Sequence, residues 1–121
     1  MAKVLTIDDS MVVRVLISKA LAPLGLDIAQ ATNGQEGLDA AAADKPDLII
    51  LDITMPVLNG LETLEKLRSD PNLKDVKVIM LTAESSQENV GRADQLGVTG
   101  YVPKPFTPDK LIEQVKGALG I

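Results

Sequence analysis

The sequence predicts an α/β fold in which the parallel strands of one sheet alternate with crossover helices. Short apolar runs rich in β-branched residues alternate with longer stretches of helical period along the whole chain. Polar residues also stand where several of these runs end, and the carboxyl ends of parallel strands meet at one edge of a sheet. We therefore expect five side chains to gather at that edge, namely Asp8, Asp9, Asp52, Thr82 and Lys104.

The first part of the chain predicts two strands joined by a helix. Strand one is predicted over Lys3–Ile7, and a helix follows from about Ser10 to Ala22, where Pro23 stops it. The second strand, over Asp27–Ala31, alternates apolar and polar residues, as a half-exposed strand does. We therefore expect this strand at an edge of the sheet.

The middle of the chain predicts a strand in the centre of the sheet. A helix through Leu38–Ala42 follows an Asn-Gly turn, and Leu48–Leu51 is then an unbroken apolar run directly before Asp52. Such a run is typical of a parallel strand that is covered on both faces, so we expect it to be central. The next helix carries a leucine at every third position and ends near Asp70.

The last part of the chain predicts two more strands and two helices. A second buried strand over Lys77–Leu81 ends at Thr82, and a weaker helical pattern covers Gln87–Leu96. A short strand over Gly100–Val102 precedes the final helix. That helix carries one apolar stripe, formed by Leu111, Ile112, Val115, Ala118 and Leu119. The chain thus predicts five strand and helix units.

The composition narrows the classes of function. A length of 121 residues suits one compact domain, and the net charge of -5 opposes a nucleic-acid partner. The chain has no cysteine and no histidine, so any metal that it binds is a hard, oxygen-preferring ion. The first apolar run is far shorter than the core of a signal peptide or a membrane span. We expect a cytoplasmic protein with no membrane partner.

Each polar candidate also has an ordinary structural explanation. Asp9 or Ser10 could cap the first helix, because both residue types accept a hydrogen bond from its exposed amides. Thr82 could be a β-branched strand residue, and Lys104 could be a solvated charge between two prolines. Asp52 is harder to explain in this way, because a carboxylate at the end of a central strand is desolvated, which is costly without a partner.

Taken together, the same residues fit the transfer of a phosphoryl group. Three clustered carboxylates repel one another unless a cation compensates them, and Mg²⁺ is typically held by one or two carboxylates, waters and a phosphate. With the metal bound, Asp52 could act as a nucleophile and become an aspartyl phosphate. Asp9 would hold Mg²⁺ with support from Asp8, Lys104 would contact a phosphoryl oxygen, and Thr82 would donate a hydroxyl hydrogen bond.

One ordered set of motifs runs through the chain. It consists of Asp8-Asp9, Asp52 with Met55-Pro56 and Gly60, Thr82-Ala83, Tyr101 and Lys104-Pro105-Phe106. This set resembles the receiver domain of two-component response regulators, and the stand-alone CheY-like type most of all. The resemblance spans essentially the whole chain. It implies one receiver domain over residues 1–121, with a flavodoxin-like (βα)5 fold and a doubly wound parallel sheet of strand order 2-1-3-4-5.

The resemblance also implies how the acidic residues are used. Asp52 would accept a phosphoryl group from a histidine kinase, a phosphotransfer protein or a small phosphodonor. The side chains of Asp9 and Asp52 and the backbone carbonyl of Thr54 would bind Mg²⁺, with Asp8 completing the acidic site. The protein would assist its own phosphorylation and dephosphorylation and would not be an enzyme that turns over a separate substrate.

A switch and a binding face are implied in the same way. Thr82 would move toward the phosphoryl group and Tyr101 would turn inward. Phosphorylation can favour the active form only because it interacts differently with the active and inactive states. The change would remodel the face formed by the fourth predicted helix, the last strand and the last helix, where a downstream protein of chemotaxis or another pathway would bind. Thr54 and Glu84 occupy positions that vary within this family and that influence how water reaches the phosphoryl group. The resemblance therefore does not set the lifetime of the phosphorylated form.

Three alternatives use the same fold class or related chemistry. A phosphatase of the haloacid dehalogenase type also forms an aspartyl phosphate, but it has Asp-x-Asp at its nucleophile, whereas this chain has Asp52-Ile53-Thr54. A flavodoxin-like FMN carrier stacks its cofactor on aromatic residues, of which this chain has only Tyr101 and Phe106. A binding module that is never phosphorylated is the third alternative.

Overall fold

Five parallel strands form the sheet of the protein. The computed structural model describes residues 2–52, 60–82, 95–103 and 106–121. The strands are β1 (Lys3–Ile7), β2 (Asp27–Ala31), β3 (Leu48–Asp52), β4 (Lys77–Thr82) and β5 (Gly100–Pro103). Every pair of neighbours is parallel, and the order is β2-β1-β3-β4-β5. The α/β class and the strand order 2-1-3-4-5 are therefore confirmed.

Helices cover both faces of this sheet. Those in the described residues are α1 (Met11–Leu21), α2 (Gly34–Ala43), α3 (Gly60–Ser69) and α4 (Pro108–Leu119). α1 packs beside α4 on one face, and α2 packs beside α3 on the other, so the sheet is doubly wound. The helix predicted over Gln87–Leu96 falls mainly on residues 83–94, outside the described residues. None of the described helices is both long enough and apolar enough to cross a membrane.

The central strand separates two apolar cores. Every residue of β3 is buried, as its unbroken apolar run predicts. Ile49 and Leu51 face the core under α2 and α3, whereas Leu48 and Ile50 face the core under α1 and α4. The alternation follows from the period of two along a strand. β2 lies at the edge of the sheet and is only partly buried, so its predicted position is confirmed.

Some element boundaries differ from the prediction. β3, β4 and β5 each extend one residue further than predicted, because their last residues still pair with the neighbouring strand. These last residues are Asp52, Thr82 and Pro103. The first helix starts after Ser10 and ends at Leu21 rather than spanning Ser10 to Ala22. Pro23 does not follow that helix directly but lies inside a short 3-10 turn, where its fixed φ and missing N–H are tolerated near the start.

A glycine lets α2 lie close to the end of β1. A Cβ atom at Gly37 would overlap the side chain of Ile7, the last residue of β1. The absence of a side chain therefore allows close helix and strand packing directly beside the residue that precedes Asp8.

Candidate functional site

Three aspartates meet at the carboxyl edge of the sheet. Asp8 directly follows β1 and Asp52 is the last residue of β3, and these two strands pair through Ile7 and Leu51. Carboxylate oxygens of Asp8, Asp9 and Asp52 all lie within 4.8 Å of one another. The expected convergence of these three side chains is therefore observed.

The three carboxylates differ in their exposure to solvent. Asp8 is 1% exposed and Asp52 is 3% exposed, whereas Asp9 is exposed. Two negative groups are thus held away from bulk water beside a third one that faces it. Three ionised carboxylates repel one another at this separation, and a bound cation relieves that repulsion. The arrangement could therefore hold a cation.

The chemistry of these donors fits Mg²⁺. All three side chains offer carboxylate oxygens, the hard ligands that Mg²⁺ prefers, and the exposed position of Asp9 leaves one side open to water. A site of this kind uses few protein ligands and retains waters that a phosphate can replace. Asp8, Asp9 and Asp52 are thus the described residues that could hold the metal. Thr54, whose backbone carbonyl is a further expected ligand, lies outside the described residues.

Three hydrogen bonds to other described residues hold Asp8. Its backbone N–H donates to the carbonyl of Ala31 at 3.1 Å, which ties it to β2. Its carboxylate Oδ1 accepts from the backbone N–H of Ser10 at 2.9 Å. Its carbonyl oxygen accepts from Nη1 of Arg14. Asp8 is therefore fixed through both its main chain and its side chain.

The capping of α1 falls to Ser10 and not to Asp9. Ser10 has extended backbone angles, and its Oγ accepts from the N–H of Val13 at 3.3 Å. This is the ordinary geometry of an N-cap serine. The carboxylate of Asp9 belongs instead to the acidic cluster.

The remaining predicted residues are only partly described. The backbone of Thr82 ends β4 one residue beyond Leu81, which pairs with Asp52, so its main chain reaches the same edge of the sheet. Tyr101 is half-buried in β5 and packs against the core under α2 and α3. Lys104 and Glu84, like Thr54, lie outside the described residues.

Sequence reasoning missed Arg14. This residue is 8% exposed and contacts the main chain of Asp8, although it was not among the candidates. Its charge also acts on Glu36, at the start of α2. Hydrogen bonds from the Thr32 hydroxyl and backbone N–H lower the pKa of Glu36, and Arg14 makes a smaller contribution in the same direction. A signal was present in the spacing, because Arg14 stands three residues before buried Ile17 on the inner side of α1.

Comparison with known proteins identifies relatives of the whole chain. Residues 4–116 match the response regulator receiver domain family. Chemotaxis protein CheY1 of Helicobacter pylori is 40% identical over 98% of this chain and 97% of that protein. The probable chemotaxis protein CheY of Rhizobium etli is 40% identical over 97% of this chain and 94% of that protein. The high-resolution structure of the chemotaxis response regulator CheY4 of Vibrio cholerae has a TM-score of 0.91 at 36% identity, with 98% of both chains covered.

The receiver fold also occurs as part of longer relatives. The phosphate regulon transcriptional regulatory protein PhoB of Pseudomonas aeruginosa is 34% identical over 96% of this chain but only 51% of its own length. The similarity to the chemotaxis proteins, by contrast, extends over nearly the full length of this chain and of each relative.

Proposed function

The chain belongs to the response regulator receiver domain family, and from this premise we propose that it is a phosphorylatable switch of a two-component or phosphorelay system. Asp52 is the phosphoacceptor. The observation that carries the proposal is the cluster of Asp8, Asp9 and Asp52, whose carboxylate oxygens lie within 4.8 Å of one another at the carboxyl edge of the sheet. Such an edge is where open α/β sheets place their ligands.

The reaction that we propose is a displacement at phosphorus. A carboxylate oxygen of Asp52 forms a bond to phosphorus while the bond from phosphorus to the donor breaks, and the donor leaves as a histidine side chain or as a small acid such as acetate. Mg²⁺, when bound, neutralises charge on the phosphoryl oxygens. β3 holds Asp52 in place, because its main chain pairs with β4 and its side chain is buried beside Asp8.

Other residues of the motif set have supporting roles in this proposal. Asp8, Asp9 and Asp52 hold the metal together with the backbone carbonyl of Thr54. Lys104 contacts a phosphoryl oxygen as a point charge. Thr82 donates a hydroxyl hydrogen bond to the phosphoryl group, and its movement is coupled to Tyr101.

The family and the relatives support the following partners. The phosphoryl donor is a histidine kinase or a phosphotransfer protein. The output is a change in affinity for a downstream protein, because phosphorylation shifts a two-state equilibrium only by interacting differently with the two states. Several relatives that match over nearly their whole length are chemotaxis proteins, and this supports chemotaxis as the pathway. The family assignment speaks against the phosphatase and FMN-carrier alternatives.

Intact-mass measurement tests the proposal. The protein is incubated with acetyl phosphate in the presence of either MgCl₂ or EDTA, and the wild type is compared with Asp52→Asn. We expect one phosphoryl adduct on the wild type with Mg²⁺ and none on the variant. Asp39→Asn, which changes an exposed aspartate of α2, is the matched control and should be phosphorylated normally. A wild type without an adduct, or an adduct of equal size on Asp52→Asn, would rule out the proposed function.

A further inference from the structure

A buried cation lies beside the acidic cluster. Arg14 is 8% exposed, and burying a guanidinium group costs free energy unless its donors are satisfied. Its Nη1 donates to the carbonyl oxygen of Asp8, and its Nε donates to Oε1 of Gln30 at 3.1 Å. The amide of Gln30 in turn donates to Oγ of Ser18 at 3.4 Å. Arg14 therefore ties the end of β1 to β2 and to α1.

The partners of Arg14 are neutral groups. Among the described residues, this guanidinium forms no ion pair with a carboxylate. An arginine that mainly neutralised the acidic cluster would pair with one of its carboxylates, because the guanidinium fork matches carboxylate geometry. A carbonyl and an amide hold the group instead. These contacts fix the position of a main chain rather than cancel a charge.

The main chain that Arg14 holds belongs to a member of the acidic cluster. Asp8 is held from β2 through its N–H, from Ser10 through its carboxylate and from Arg14 through its carbonyl. Three carboxylates within 4.8 Å of one another repel, so a turn without these restraints would open and spread them. The contact from Arg14 opposes that movement at the one point where the chain leaves β1.

We propose that Arg14 is a positioning residue for the divalent cation: it holds the turn after β1 so that the carboxylates of Asp8 and Asp9 stay in place for Mg²⁺. This inference rests on the proposed function, because it assumes that the acidic cluster binds the metal. Groups that orient metal ligands without touching the metal commonly change its affinity by about 10- to 100-fold.

The test is calorimetric titration of the full chain, without a phosphodonor, with MgCl₂. Arg14→Met removes the charge and both hydrogen bonds, and Arg14→Lys keeps the charge but replaces the guanidinium fork with a single nitrogen. We expect the Kd for Mg²⁺ to rise by about 10-fold in Arg14→Met and by at least about 3-fold in Arg14→Lys. If Arg14→Met does not fold, the titration of Arg14→Lys carries the test.

The sign of the change distinguishes positioning from simple electrostatics. A positive charge that merely competes with Mg²⁺ would give tighter binding in Arg14→Met and unchanged binding in Arg14→Lys. Either of these results would overturn the inference. Loss of stability with an unchanged Kd in both variants would also overturn it, since that is the result expected of a purely structural residue.

A second, partly buried arginine provides the control. Arg68 is also a partly buried guanidinium bound to backbone carbonyls, but it lies at the opposite, amino-terminal edge of the sheet. We expect Arg68→Met to leave the Kd for Mg²⁺ within about 2-fold of the wild type. A wild type that binds no Mg²⁺ would refute the proposed function, whereas normal binding by the wild type and both Arg14 variants would refute only the role of Arg14.

Discussion

At the scale of single residues, Asp8 shows how the surroundings of a carboxylate define its role. It is almost fully buried, its main chain is bound at both N–H and carbonyl, and one carboxylate oxygen accepts from the N–H of Ser10. The side chain nevertheless belongs to a cluster of three negative groups. Asparagine at this position would keep an acceptor for Ser10 and remove the charge. The structural and electrostatic contributions of Asp8 can therefore be separated.

Asp8→Asn should lose most of the stabilisation that Mg²⁺ gives to the folded protein. At a free Mg²⁺ concentration of ten times the wild-type Kd, the wild type gains about 1.4 kcal/mol, and a variant with tenfold weaker binding gains about 0.4 kcal/mol. The measurement is urea unfolding in EDTA and in MgCl₂. Asp39→Asn, which changes an exposed residue of α2, should retain the full gain. An undiminished gain in Asp8→Asn would mean that this carboxylate takes no part in binding Mg²⁺.

At the scale of elements, Arg68 joins the end of α3 to the segments that lead into β4 and β5. Its guanidinium donates to the carbonyls of Lys74 and Val76 and to those of Leu96 and Gly97, at 2.7 to 3.2 Å. Burial lowers the pKa of Arg68, but an arginine begins so far above neutrality that the group stays charged. One side chain thus satisfies backbone acceptors of two separate connections.

Arg68→Met should lower the free energy of unfolding by about 1 to 2 kcal/mol. Several charge-assisted hydrogen bonds are lost, but the freed carbonyls lie near the surface, where water replaces part of the interaction. The measurement is urea unfolding followed by circular dichroism. Lys66→Met changes an exposed residue of the same helix and should stay within about 0.5 kcal/mol of the wild type. Equal effects of the two substitutions would contradict the bridging role of Arg68.

At the scale of the whole molecule, the topology brings together residues that are far apart in the sequence. Asp8 and Asp52 become neighbours because β1 and β3 pair in parallel, and both strands end at the same edge. The sequence was sufficient to predict this part of the site. Unbroken apolar runs indicated the buried strands, and a polar residue at the end of each run indicated the shared edge.

Features that depend on long-range contacts could not be predicted from local patterns. The last residue of β3 pairs with Leu81 of β4, and this register decides that Asp52 belongs to the strand rather than following it. The contacts of Arg14 could not be predicted for a similar reason. Its partners, the carbonyl of Asp8 and the side chain of Gln30, are brought to it by the packing of α1 on the sheet, and helical period alone does not indicate them.

We propose that Asp52, among all the aspartates of the chain, is the phosphoacceptor. Borohydride reduction tests it most directly, because it converts an aspartyl phosphate into homoserine, which peptide mass spectrometry locates. After phosphorylation with acetyl phosphate and MgCl₂, we expect homoserine at position 52 and unchanged aspartate at every other position. Homoserine at position 8 or 9 in place of 52, or a phosphoryl adduct that yields no homoserine, would contradict the claim.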